Sequence, residues 1–270
     1  GQCTRVCGMS RASRKYLIAA VVCALLPLVA SAENRYVSTN GFQQYPFTNW
    51  LMAARNIQAA VDASANGDVI HVWRGRYAGP GNRDIDLRGK AVTLRSQSGF
   101  SNTVIDCEQA GRGFYFHSGE TTSSVIQGFT ICGASSNAVR IESAGPLIQQ
   151  CSVAGNFGGG LYCVNGSAVI EDSSFIGNYS GGSNITTTIT TIAYDAGDQP
   201  VMVHVETWNS VEGVGGAVLA VASTVTLNRC AFRDNVAGED GGAIYAVTNS
   251  ALVLRDTVLE GNRAGFGGDH

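Results

Sequence analysis

Four asparagines, Asn156, Asn178, Asn235 and Asn262, each stand three residues past the end of a short apolar pattern, and this recurrence constrains the chain more than any other feature. The pattern, Ile/Leu-x-x-(small or aromatic)-x-apolar, covers residues 126–131, 148–153, 170–175, 227–232 and 254–259, and the last four copies carry the asparagine. A second apolar segment precedes each copy, beginning at Phe114, Val139, Leu161, Val218 and Ile244. The asparagines lie 22, 57 and 27 residues apart, and Gly-Gly pairs stand at Gly159-Gly160, Gly181-Gly182, Gly215-Gly216, Gly241-Gly242 and Gly267-Gly268. Removing the 34 residues between Gly181 and Gly215 from the long interval leaves 23, so residues 183–214 are expected to be an insertion in a regular array.

A unit of 22 to 27 residues holds a few short strands and their turns, but not a strand with a long crossover helix. With 34 Gly, only 5 Pro and a charged fraction of 14%, the composition favours strands joined by tight turns. Coils of such strands, stacked about 4.8 Å apart, place like residues above like. The expected fold is therefore all-β, a right-handed parallel β-helix (a solenoid). Its inward columns are Ile126/Ile148/Ile170/Leu227/Leu254 and Ile131/Val153/Phe175/Phe232/Leu259, and its structural ladder is Asn156, Asn178, Asn235 and Asn262.

A first coil exposes unpaired strand edges and needs a cover. Residues 33–80 are assigned to an N-terminal cap and first strand. Within them, 47–67 is expected to be a capping helix with Leu51, Ala54, Ile57 and Val61 on one face, started by Thr48 or Asn49 and ended by Gly67. Residues 69–72 are the expected first strand, with 92–94 and 103–105 as further ones. The β-helix then runs over 81–270 and breaks off at a Gly-Gly, which gives the chain the look of a truncated array.

Residues 1–32 have the makeup of a signal peptide. Arg11, Arg14 and Lys15 form a basic segment, 16–29 is apolar, and Ala30-Ser31-Ala32 is a small-x-small cleavage site, with Met9 as the expected true start. The mature chain then has no expected transmembrane segment and is secreted or held at the outer-membrane surface. Cleavage leaves Cys107, Cys132, Cys151, Cys163 and Cys230. This odd, irregularly spaced set with no Cys-x-x-Cys reads as buried thiols rather than a disulfide framework or a metal site. A net charge of −3 gives no footprint for nucleic acid. No metal and no cofactor is called for.

Tyr36-Val37-Ser38, the run from Ile57 to Val61, Gly67-Asp68 and Gly75-Arg76-Tyr77 resemble the right-handed parallel β-helix proteins of the pectin-lyase-like superfamily. The later repeats are similar to those of polymorphic outer-membrane proteins, surface adhesins that repeat Phe-x-x-Asn and Gly-Gly-Ala-(Ile/Leu/Val). Phe175 to Asn178 and Phe232 to Asn235 match the first motif, and Gly215 to Val218 and Gly241 to Ile244 the second. The resemblance implies either an adhesive module, with extracellular polysaccharide or surface proteins as partners, or a polysaccharide lyase or glycoside hydrolase. The Asn-Thr-Asp, Asp-Asp, Gly-His-Gly and Arg-Ile-Lys signatures of the superfamily's hydrolases are absent from this sequence, which leans away from an enzyme.

Three groups of side chains are candidates for function. Tyr115, Arg140, Tyr162, Leu219 and Tyr245 alternate with the inward positions of the preceding strand and are expected to form an outward aromatic and cationic strip suited to sugar rings. Glu171, Asp172, Arg229, Arg255 and Asp256 are expected on two columns at a bend as a solvated charge ladder. In the insertion, 201–208 alternates after a turn at 195–200, which predicts a hairpin with His204, Glu206 and Trp208 on one face. His117 and Glu120 read as solvated turn residues.

Overall fold

A computed structural model of the chain describes residues 32–181, the strand pairs at 193–194 and 200–201, and 213–265. Three parallel sheets of eight, seven and five strands make up the stack, the five-stranded one starting only at Phe114–Phe116, and a three-stranded sheet fills one corner. Strands of the eight-stranded sheet stack in chain order as Asn34–Val37, Val69–Val72, Thr93–Ser96, Val125–Gln127, Leu147–Gln149, Ser167–Glu171, Thr224–Asn228 and Ala251–Arg255. Each successive strand is one coil further on, so the chain winds as a parallel β-helix. Residues 34–37 already form a strand, one coil before the stretch at 69–72 expected to be first.

One coil shows how the sequence makes the turns. Leu147–Gln149 runs in the first sheet. Gln150 then bends the backbone at φ 51°, as Asp172, Arg229 and Asp256 do in the next coils. Ser152–Ala154 runs in the seven-stranded sheet, Gly155 turns at φ 61°, and Asn156 follows. The Gly-Gly corner that comes next is sterically required: a Cβ on Gly216 would lie 2.3 Å from the Gly242 oxygen, and one on Gly160 2.7 Å from the Ala217 oxygen. Leu161–Val164 then enters the five-stranded sheet.

The columns align residue for residue. Ile126, Ile148, Ile170 and Leu227 are in register and at most 1% exposed, and so are Ile131, Val153, Phe175 and Phe232. The Phe175 and Phe232 rings stack at 4.9 Å with planes 6° apart. Each such side chain contributes about 1.5–3 kcal/mol by leaving water. Leu254 and Leu259, in the last described coil, are 42% and 48% exposed.

The four asparagines share one stack. Nδ2 of Asn156, Asn178 and Asn235 donates to Oδ1 of the next asparagine at 2.9, 3.0 and 2.8 Å, and the same amides donate to the oxygens of Ile131, Val153 and Phe175. A second ladder runs through Cys151, Ser173, Cys230 and Thr257. Each hydroxyl or thiol donates to the carbonyl two residues back, and the Cys151 amide donates to Ser173 Oγ at 3.1 Å. Burial pushes the Cys151 and Cys230 thiols up to about 11 and Cys107 and Cys132 up to about 12.

The capping helix is shorter than its sequence pattern predicts, spanning Ile57–Ala63. Asn56, not Thr48 or Asn49, caps it through a 2.8 Å bond from the Ala59 amide, and it stops at Ser64 rather than Gly67. Residues before it are drawn into the coil instead. Ala54 bridges to Val37, with its amide on the Tyr36 oxygen and its own oxygen taken by the Ser38 amide. Asn49 accepts from the Met52 amide in a local turn, and Leu51 is left 64% exposed. Lys90 completes the helix end by donating to the oxygens of Val61, Asp62 and Ser64. Its buried side, Ile57, Ala60 and Val61, closes the core.

No described helix is long and apolar enough to cross a membrane. The signal peptide expected at 1–32 lies outside the described residues apart from Ala32, as do His204, Glu206 and Trp208. Within 183–214, expected to be an insertion, the backbone pairs Ala193–Tyr194 antiparallel with Pro200–Val201.

Candidate functional site

The outer face of the five-stranded sheet brings together most of the polar chemistry that a flat β-surface can carry. Its strands are Phe114–Phe116, Val139–Glu142, Leu161–Val164, Val218–Val221 and Ile244–Val247. Alternate residues point inward: Phe114, Val139, Leu161 and Val218 are fully buried and in register. The intervening column is Tyr115, Arg140, Tyr162, Leu219 and Tyr245, each half-buried and aligned with the next.

Within that column the guanidinium of Arg140 lies 4.9 Å from the centre of the Tyr162 ring, and that of Arg112 lies 4.8 Å from the centre of the Tyr115 ring. Glu142, two residues past Arg140 on the same face, ties the column together. It accepts from Tyr115 Oη at 2.5 Å and from Arg140 Nε at 2.5 Å. These two bonds hold the Glu142 carboxyl below its ordinary range, while the bond to Glu142 raises the Tyr115 phenol. An ionised carboxylate in this setting suits holding donors in place and opposes a general-acid role.

The cluster extends past the first strand. The His117 ring stacks on Tyr115 at 4.1 Å, and its Nε2 is 3.4 Å from Asp86. Asp84 pairs with Arg112 at 3.0 Å. The repeat pattern of the sequence does not single out Glu142, His117, Asp86, Asp84 or Arg112 as a site. Glu142 was legible in principle, because positions i and i+2 of a strand share a face. Asp84 and Asp86 were not, because only the bridge of Ile85 to Phe114 brings that turn alongside the sheet.

Glu120 corrects the expectation of a solvated turn residue. It is 2% exposed, and its carboxylate accepts from the Gly89 and Ser118 amides at 2.8 and 2.9 Å. It forms part of an open groove of about 550 Å³ between the five- and eight-stranded sheets, with Ser143, Asn165 and Ser167 on the neighbouring coils. At the opposite bend, Asp172 and Arg229 make a two-pronged pair at 2.5 and 2.9 Å, and Glu171 accepts from Gln149 and Asn228. Arg255 and Asp256 are exposed on the same columns. Among the described residues no group of three or more His, Cys, Asp or Glu could hold a metal ion.

Comparison with solved structures finds a rhamnogalacturonan lyase at a TM-score of 0.60 and 15% identity, with 87% of this chain aligned to 59% of that one. The chain thus spans 59% of the lyase's length. A pectin methylesterase in complex with a hexasaccharide scores 0.36 at 14% identity over 86% of this chain and 67% of its own. The pectin methylesterase from Aspergillus niger in deglycosylated form scores 0.38 at 10% identity over 87% and 88%. At such identities the lyase likeness is one of fold. No curated protein matches the chain. The family model described as the right handed beta helix region matches residues 112–268, more than half of the sequence, and with the coil seen above this chain belongs to the right-handed β-helix family.

Proposed function

We propose that the chain works outside the cell, secreted or held at the outer-membrane surface, as a rigid adhesive module that binds polysaccharide along the outer face of its five-stranded sheet. One observation carries the reading: Arg140 is held between the Tyr162 ring and Glu142, while Glu142 is held by Tyr115. Aromatic rings and donors are thereby set on a flat face before any ligand arrives, which lowers the ordering cost of binding. The ligand class follows two likenesses, the adhesin-like repeats of the sequence and a neighbour in fold whose name, rhamnogalacturonan lyase, is that of a polysaccharide-acting protein. A surface protein is the other partner this face suits.

A second reading, a lyase or hydrolase of the pectin-lyase-like superfamily, draws on that same neighbour. The engaged, ionised Glu142 weighs against it on this face. Binding to a glycan array by the intact chain, lost on combining Tyr115→Ala, Tyr162→Ala and Tyr245→Ala, is the expected result. Unchanged array binding in that variant would remove the face. Cell binding with no array signal would replace polysaccharide by protein, and unsaturated or reducing ends released from pectin or alginate would replace binding by catalysis.

A further inference from the structure

The loop that opens the coil carries large apolar side chains in water on a backbone whose polar groups are already paired. The amides of Gly41, Phe42, Gln43, Gln44 and Phe47 each donate to an oxygen within residues 38–53 at 3.0 Å. Arg55 Nε donates to the Gly41 oxygen at 2.7 Å. On this frame Phe42, Tyr45, Trp50 and Leu51 are 65%, 72%, 37% and 64% exposed, and Trp73 is 43% exposed. The Trp50 ring meets Trp73 at 5.0 Å and Tyr36 at 4.6 Å, and Tyr36 stacks on His71 at 5.2 Å. Ordered apolar surface left in water marks a place of contact.

Charge at this end of the coil is one-sided. Residues 36–61, 69–83 and 87–105 contain no Asp or Glu, although the whole chain has a net charge of −3. The carboxylates bordering these stretches are engaged: Glu33 and Asp68 with Arg35, Asp62 with Arg88, Asp106 with Arg76, and Asp84 and Asp86 as described above. Of the cations, Arg76, Arg83 and Arg88 pair with carboxylates, and Lys90 serves the helix end. Arg55, Arg74 and Arg95 remain, all exposed and paired with no carboxylate among the described residues. Arg74 follows Trp73 in the chain, and Arg95 is the register partner of His71, as His71 is of Tyr36.

We infer that the opening loop and these three guanidinium groups form a seat for the surface of an anionic phospholipid bilayer, on which the chain lies without crossing it. Phe42 and Leu51 enter the acyl boundary, while Trp50, Trp73 and Tyr45 sit at headgroup level, where amphipathic rings are at home. Arg55, Arg74 and Arg95 meet lipid phosphates, which the planar guanidinium fork matches. The closed backbone favours lipid over a protein partner, since a loop entering a low-dielectric boundary must bring its own hydrogen bonds. The inference goes beyond the proposed function: the tyrosine strip lies on another sheet, and bilayer binding does not require that strip to bind anything.

The test floats the full chain with vesicles of phosphatidylcholine alone and of phosphatidylcholine mixed with phosphatidylglycerol. The chain is expected to float with the mixed vesicles, less with the neutral ones, and less as salt is raised. Combining Phe42→Ser with Leu51→Ser is expected to weaken partitioning by on the order of tenfold, and Arg74→Gln and Arg95→Gln by about fivefold each. In a Trp208→Phe chain, which leaves Trp50 and Trp73 to emit, bromine-labelled acyl chains are expected to quench the fluorescence. The variant lacking Tyr115, Tyr162 and Tyr245 is expected to float as the wild type does, so the two faces are scored apart. No flotation, equal flotation on both vesicle types, or unchanged partitioning in the serine and glutamine variants overturns the inference. A dimer that the serine variant dissolves, in a chain that ignores vesicles, overturns it too and makes a second copy the occupant. If the serine variant melts early, the two glutamine variants decide alone.

Discussion

Asn178 donates its carboxamide to Oδ1 of Asn235 at 3.0 Å, across 57 residues of chain, and both side chains are fully buried. The same Asn178 amide group serves the Val153 oxygen at 2.8 Å, and the Asn178 Oδ1 accepts from Asn156. Truncation to alanine leaves the Val153 oxygen and the Asn156 backbone amide buried without the partners Asn178 supplies, each costing about 1–3 kcal/mol. Asn178→Ala is therefore expected to lower stability by at least 2 kcal/mol, roughly the sum for two orphaned groups. Denaturant melts of this variant beside Asn262→Ala, which sits at the less buried end of the ladder, check it; equal effects would deny the ladder its cooperative role.

Phe175 and Phe232 carry the packing counterpart of that ladder. Their parallel stack lies in a fully buried column between Val153 and the last described coil. Phe175→Ala opens a cavity between two coils and is expected to cost about 3–5 kcal/mol, whereas Phe175→Leu keeps most of the volume and costs less. Thermal unfolding of the two variants, compared with the wild-type chain, gives the order.

Acid should loosen the tyrosine strip before it melts the coil. The bonds from Tyr115 and Arg140 depress the Glu142 carboxyl in the folded chain. Their stabilisation is complete above the ordinary carboxylate value of 4.5 and is lost as pH falls through the lower folded value. The Tyr115 phenol is raised by the same bond. Glu142→Gln is expected to remove the acid-side change and bring the Tyr115 phenol back towards 10.0. An ultraviolet titration of tyrosine, with NMR of the Glu142 carboxyl, reads both.

The described thiols should be silent in the native chain. With values pushed to about 11 for Cys151 and Cys230 and about 12 for Cys107 and Cys132, the thiolate fraction at pH 8 is on the order of one in a thousand or less. Slow labelling by a maleimide in buffer and fast labelling in denaturant is the expected contrast. Rapid native labelling at any of these four would show that its coil opens.

The columns were legible in sequence because each depends on residues at a constant offset within one coil. Ile148, Ile170 and Leu227, or Tyr115, Arg140 and Tyr162, need only the period to be placed. The opening loop was not, because its shape comes from pairings such as Tyr36 with Ala54, which override the helical spacing of Leu51, Ala54 and Ile57. His117 with Asp86, and Glu120 with Gly89, were hidden for a related reason. Their partners sit about one coil earlier, in turns that carry no repeat.

Ser180 and Gly213 border the stretch expected to be an insertion, and they are drawn close, with Ser180 Oγ donating to the Val214 oxygen at 2.9 Å. Strand pairing resumes across the gap, Tyr179 with Val236 and Leu161 with Val218. Closing a loop costs only about 0.6 kcal/mol more for each doubling of its length. That corner is thus a socket: material of many lengths can be spliced in or cut out there while the coils on either side keep their count.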